Sequence, residues 1–191
     1  MAPGEIVLVP LAAGFEEIEA VTIIDVLRRA DLEVVVAGLG PGPIEGAHGV
    51  AFSTDCTWDE VDPARVHTLV LPGGMPGTTN LMEDERVLTL VRSLHARGRT
   101  TAAICAAPLV LAAAGVIGGG RVTSHPTVRD RLGDATVLDA PRVVRDGSIV
   151  TSQGPGTSLE FALALVADLA GPERADALAA AMLVRGSGGT D

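Results

Sequence analysis

The sequence predicts a three-layer α/β fold, a mostly parallel sheet with helices on both faces. Three observations carry this. Apolar runs of strand length recur at residues 6–11, 32–37, 68–71 and 101–104. Stretches of helical spacing separate them. The runs are continuous, so each strand is expected to be buried on both faces, as in a parallel sheet covered by helices.

The elements follow in order. Residues 6–11 read as the first strand. Residues 16–30 have helical spacing, with Ile18, Val21 and Ile24 on one face and Arg28 and Arg29 near the end, where cations suit the helix dipole. Residues 32–37 and 68–71 are further buried strands. Residues 84–97 form a helix with Val87, Leu90, Val91 and Leu94 inward. The charge-free stretch from Thr100 to Gly120 is rich in Ala and Gly and holds Pro108. It reads as a buried strand, 101–104, turning into a buried helix, 107–114, and not as a membrane span. Residues 121–124 are a short strand. Residues 142–152 read as a hairpin turning at Asp146-Gly147. Residues 157–170 are a helix opening with a Thr157…Glu160 capping box. A last helix is expected over 172–184 and a frayed, disordered tail over 186–191, the whole chain (1–191) forming one domain.

Composition narrows the function classes. The 191 residues carry 14 basic and 24 acidic side chains, a formal charge of −10. That field repels phosphate and makes nucleic acid an unlikely bulk partner. Every basic residue is Arg, and there is no Lys or Tyr, which excludes Schiff-base chemistry and a tyrosine acid. Two cysteines without a CxxC fit a reducing cytoplasm. Met1 to Gly4 has no basic region, so no signal peptide is expected.

In an open α/β sheet, functional groups gather where strands end. After the first strand come Glu16, Glu17 and Glu19. Dipole compensation accounts for two of them; Glu19, four residues from Phe15, is positioned to turn toward the strand ends, where burial raises a carboxyl pKa. After 68–71 come Gly73 and Gly74, either a tight turn or half of an oxyanion hole. After 101–104 comes Cys105, then Ala106, Ala107 and Pro108, a nucleophile-elbow arrangement with Cys in place of Ser. The helix start is expected to lower the thiol pKa. His125 follows 121–124 and is a candidate base or proton shuttle to that thiol. The Gly38–Gly42 region is broken by prolines and is not a dinucleotide fingerprint. Cys56 reads as incidental. His48, His67 and His95 have no ligand spacing, so no metal is expected. Gly154 to Thr157 fits an ordinary capped turn as well as an anion site.

Five blocks taken together resemble the DJ-1/PfpI superfamily, in the branch of the parkinsonism-associated protein deglycase and its bacterial relatives: GFEEIEAV from Gly14, LPGGMPG from Leu71, AAICAAP from Ala102, VTSHP from Val122 and SQGPGTSLEFAL from Ser152. The resemblance implies a flavodoxin-like, class I glutamine amidotransferase-like sandwich and a homodimer. It implies Cys105 as nucleophile and redox-sensitive thiol, Glu19 as the protonated acid beside it, and His125 as the proton-transfer residue. Gly74, next to Gly73, and Ala106 would supply oxyanion N–H groups, Pro155 would line the pocket, and Asp25 would orient His125 across the dimer. Ala106 stands where the protease-like branch has a His, which argues against a peptidase. His48 replaces a rim arginine, Ser53 replaces an interface cysteine, and the metal-bearing insertion of the larger members has no room here.

The expected activity is a cofactor-independent, glutathione-independent glyoxalase or protein and nucleotide deglycase. Its substrates would be methylglyoxal, glyoxal and their early adducts, in carbonyl and oxidative stress defence. The competing readings are a redox-sensing stress protein or chaperone oxidised at Cys105 to sulfinate, and a biosynthetic hydrolase or hydratase on the same scaffold.

Overall fold

The computed structural model describes residue 2 and residues 4–184. The expected tail over 186–191 lies outside the described residues. The chain runs β1 (Ile6–Leu11), α1 (Glu17–Arg29), β2 (Val34–Gly38), β3 (Ile44–Glu45), β4 (Ala51–Phe52), β5 (Cys56–Thr57), a 3-10 turn at Trp58–Glu60, and β6 (Val66–Leu71). It continues through α2 (Gly77–Glu83), α3 (Glu85–Ala96), β7 (Thr101–Ile104), α4 (Pro108–Ala113), β8 (Arg121–Val122), a 3-10 helix at Pro126–Arg131, and β9 (Thr136–Val137). β10 (Val143–Asp146), β11 (Ile149–Ser152), a 3-10 turn at Pro155–Thr157, α5 (Ser158–Ala170) and α6 (Pro172–Ala181) complete it.

Seven strands form one sheet in the order β10-β11-β7-β6-β1-β2-β5. All its pairings are parallel except β10 with β11. The parallel core is the doubly wound order of a flavodoxin-like sheet, with its switch point between β1 and β6. Side-chain alternation along the strands feeds two cores. Leu8, Leu69, Leu71 and Ala103 face a layer with Leu81, Val91, Leu94 and Val110. Val7, Val9, Val70, Ala102 and Ile104 face Ile23, Leu27, Phe161 and Leu165 of α1 and α5. Burial on both sides is why these strands read as unbroken apolar runs.

Several local expectations need correction. On α1 the buried stripe is Ala20, Ile23, Ile24, Val26 and Leu27, while Ile18 and Val21 are 59% and 45% exposed. The helix carries apolar residues on two sides, and only packing against β1 and α5 selects the inner one. The hairpin turns one residue later than expected: Asp146 pairs with Ile149, which leaves Gly147-Ser148 as the loop, with Gly147 at φ 57°. The capping box on α5 does not form. Thr157 precedes the helix without a side-chain cap, and Glu160 pairs with Arg142 instead. β8 is two residues long and joins β9 in a small separate sheet. The last helix ends at Ala181. Short strands β3, β4 and β5 and helix α2 were not foreseen, being too brief to show a period.

Candidate functional site

The carboxyl ends of β1, β6 and β7 converge beside the switch point, and each delivers one part of the site. β7 delivers Cys105. Its φ of 63° is in the left-handed region, rarely adopted by a non-glycine residue and held here by its surroundings. Cys105 N–H donates to Ser152 O at 3.0 Å, and Cys105 O accepts from His125 N–H at 2.9 Å. The backbone thus has a partner on each side of the elbow, and the half-buried side chain packs against both hydrophobic cores. Pro108 then opens α4, where its missing N–H costs nothing.

β6 delivers Gly73 and Gly74. A Cβ on Gly73 would sit 2.7 Å from Cys105 Cβ and 2.8 Å from Glu19 Oε2. Gly74 has φ 92°, and a Cβ there would sit 2.3 Å from Glu16 N. The close approach of three chain segments therefore requires both glycines. The backbone N–H groups of Ala106 and Gly74 act on the Cys105 thiol to favour its ionised form.

β1 leads into α1, which delivers Glu19. This side chain is fully buried. Its Oε2 accepts from Gly73 N–H at 2.7 Å, while its Oε1 has no hydrogen-bond partner. Burial pushes the Glu19 carboxyl up to about 7, against the lowering effect of the Gly73 N–H. Glu16 is the N-cap of α1 and accepts from Glu19 N–H at 2.7 Å, which orients that first turn. Glu17 reaches away from the elbow. It accepts from the His48 and Val50 N–H groups and pairs with His48 Nδ1 at 2.9 Å, pinning the loop after β3. Both acids therefore do more than compensate a dipole.

The expected lowering of the thiol pKa is corrected. Burial pushes the Cys105 thiol up to about 12, and the Glu19 carboxylate adds to that rise through its charge and hydrogen bond. The N–H groups of Ala106 and Gly74 oppose it. Two adjacent buried acids cannot both ionise cheaply, so ionising one disfavours ionising the other. When Glu19 holds its proton, the carboxylate's charge is gone and its O–H can donate to a thiolate.

His125 stands at the N-cap of the 3-10 helix Pro126–Arg131, next to the elbow through its bond to Cys105 O. Gly154 lies beside its ring, and Pro155 starts the turn that follows. Within one chain the structure does not bring Asp25 to this site; it is exposed on α1 and pairs with Arg29 at 2.7 Å. Cys56 lies on the edge strand β5, and burial raises its thiol pKa. Glu16 and Glu17, with His48 31 residues beyond Glu17, have ligand-type atoms within 4.8 Å of one another, which sequence spacing could not foretell. The Glu17 carboxylate is already engaged by three hydrogen bonds there. Among the described residues, no helix is long and apolar enough to cross a membrane.

A flavodoxin-like sandwich with a strained cysteine at a strand-to-helix elbow and a buried glutamate against it is a recognisable class of site. The pattern of the DJ-1/PfpI family matches residues 5–168, and the chain belongs to that family. The crystal structure of Drosophila melanogaster DJ-1beta superposes with a TM-score of 0.92 at 40% identity, over 95% of this chain and 99% of that one. A Parkinson disease protein 7 homolog of Danio rerio is 39% identical over 95% of this chain and 98% of its own length. A glutathione-independent glyoxalase, DJR-1.2 of Caenorhabditis elegans, is 38% identical over 85% and 87%.

Proposed function

We propose that this chain is a glutathione-independent glyoxalase and deglycase that uses Cys105 as nucleophile on small reactive aldehydes and their early adducts. The observation that carries the reading is the Cys105–Glu19 pair, in which a thiol at a strained strand-to-helix elbow stands against a buried carboxyl with one oxygen unpartnered. The family match and the glyoxalase relative support it.

With methylglyoxal, the Cys105 thiolate adds to the aldehyde carbon, and Glu19 gives its proton to the new alkoxide. The Glu19 carboxylate then takes the hydrogen from that carbon as a proton, and the electron pair forms an enediolate. A proton passes from the first oxygen to the second, and Glu19 returns its proton to the ketone carbon. The product is a lactate thioester on Cys105. Water adds to the thioester carbon, its proton returns to Glu19, and the thiolate leaves with lactate released. One carbon is oxidised and its neighbour reduced, so no external redox partner enters. His125 assists proton movement, Gly74 and Ala106 N–H groups attend the sulfur side, and Gly73 and Pro155 shape the pocket.

A second reading rests on the same donors. A sulfinate at Cys105 has two oxygens, which the Ala106 and Gly74 N–H groups and a protonated Glu19 are placed to bind, and this favours redox sensing at the same thiol. The dimer reading draws support from the exposed Ile18 and Val21, which lie in the two turns before Asp25 on α1. A reducing cytoplasm fits two free thiols.

The test is lactate formation from methylglyoxal by purified protein, without glutathione or added metal. Turnover in the wild type and none in Cys105→Ala is the expected result. Full turnover in Cys105→Ala would overturn the mechanism. No wild-type turnover, with two oxygens gained at Cys105 and none at Cys56 under mild peroxide, would favour the redox reading.

A further inference from the structure

His125 caps its own turn. Its Nδ1 accepts from the backbone N–H of Thr127 at 3.4 Å, and the Thr127 hydroxyl lies 2.8 Å from the same nitrogen. A backbone N–H can only donate, so Nδ1 presents its lone pair to this turn. The neutral ring carries one proton, which is then on Nε2. The hydroxyl, in the shorter of the two contacts, also donates to Nδ1. The Cδ2 edge of the ring lies beside Gly154, where a built Cβ would sit 3.5 Å from Cδ2. The bond from His125 N–H to Cys105 O keeps the ring next to the elbow.

We propose that Thr127 is a positioning residue that holds His125 as an Nε2–H donor at the Cys105 elbow. The consequence for catalysis rests on the glyoxalase reading above. A ring whose outward nitrogen already carries a proton donates to the ketone oxygen as it gains charge, and it does not abstract the carbon-bound hydrogen. That abstraction falls to Glu19, whose unpartnered Oε1 is free to take it. The division of labour follows from geometry: the nitrogen that could act as a base is turned into the 3-10 helix and engaged there.

Two-bond proton–nitrogen spectra of the full 15N-labelled chain, recorded above the pH at which the ring protonates, read the tautomer directly. Comparison with His125→Gln assigns the signal among the four histidines. In the wild type and Thr127→Ser, Nδ1 of residue 125 is expected to resonate as a bare, pyridine-type nitrogen. Thr127→Val leaves only the weaker backbone donor. It is expected to move the population toward the Nδ1–H form and to lower kcat for methylglyoxal about fivefold, the value of one neutral hydrogen bond, with little change in KM. A wild-type Nδ1 that carries the proton overturns the proposal. So does Thr127→Val if neither readout moves, or if one moves without the other. Should the wild type not turn over methylglyoxal, the glyoxalase reading falls, while the spectra of wild type, Val and Ser variants still decide whether Thr127 holds the ring.

Discussion

The coupling between Glu19 and Cys105, two adjacent buried acids, dominates at the scale of single residues. It affects stability as well as chemistry. Glu19 is raised in the fold from 4.5 to about 7, so between these values the folded chain keeps a proton that the unfolded chain has released. Stability therefore falls as pH rises through this window, and the full cost, about 3 kcal/mol at 1.4 kcal/mol per pKa unit, is present above pH 7. Urea unfolding should show a midpoint that drops from pH 5 to pH 8 in the wild type and drops distinctly less in Glu19→Gln. Equal slopes would show that residue 19 is not the buried acid described. The same variant can neither give nor take the proton, so its turnover should fall by about 10²-fold or more. Gly73→Ala places a methyl between Cys105 and Glu19; an overpacking cost of about 1–3 kcal/mol is expected, with turnover lost in protein that still folds. Cys105 and the paired glycines were legible in the sequence because they come within three residues of a strand end, and Glu19 because it lies in the first turn of the helix after β1, four residues from Phe15. The sign of the thiol shift was not, since it depends on burial and on a carboxylate 86 positions away in the chain.

Among elements, the junction of β11 with α5 shows why a correct helix can carry a wrong cap. Thr157 and Glu160 have the spacing of a capping box, yet the Thr157 hydroxyl turns back into the chain. It bonds with Ser152 Oγ at 2.7 Å, accepts from the N–H groups of Gln153 and Gly154, and lies 2.8 Å from Gly154 O. Ser152 Oγ in turn donates to Arg142 O, so one threonine ties the hairpin to the helix behind the His125 wall. Thr157→Val keeps the shape and removes the hub. It should cost about 1–3 kcal/mol for the buried groups left unpaired, and at about 2–4 °C per kcal/mol for a chain of this size the melting temperature should fall by roughly 5 °C. An unchanged melting curve would mean that water replaces the hydroxyl. β1, α3 and β7 were readable almost to the residue because their apolar periods are long or unbroken. β3, β4 and β5 were not, because two-residue strands take their definition from partners and have no pattern of their own.

For the molecule as a whole, the doubly wound order was foreseeable from alternating buried strands and helices, and it alone places three strand ends around one thiol. What a single chain leaves open is the outer face of α1. Ile18 and Val21 are exposed there, with Asp25 one turn beyond Val21, on a protein of net charge −10 that otherwise repels copies of itself. An apolar stripe that the core does not use is the feature expected of a helix that packs against its twin. Sedimentation should therefore give about twice the chain mass of 19.4 kDa. Val21→Glu places a charge at the centre of the stripe and should release monomers, weakening association by about 10²-fold or more, the scale of an unpaired buried charge. If Asp25 reaches His125 of a second copy, Val21→Glu and Asp25→Asn should both lower turnover, but only the first should change the mass. A monomeric wild type would remove Asp25 from the site altogether and leave Thr127 as the side chain that orients His125.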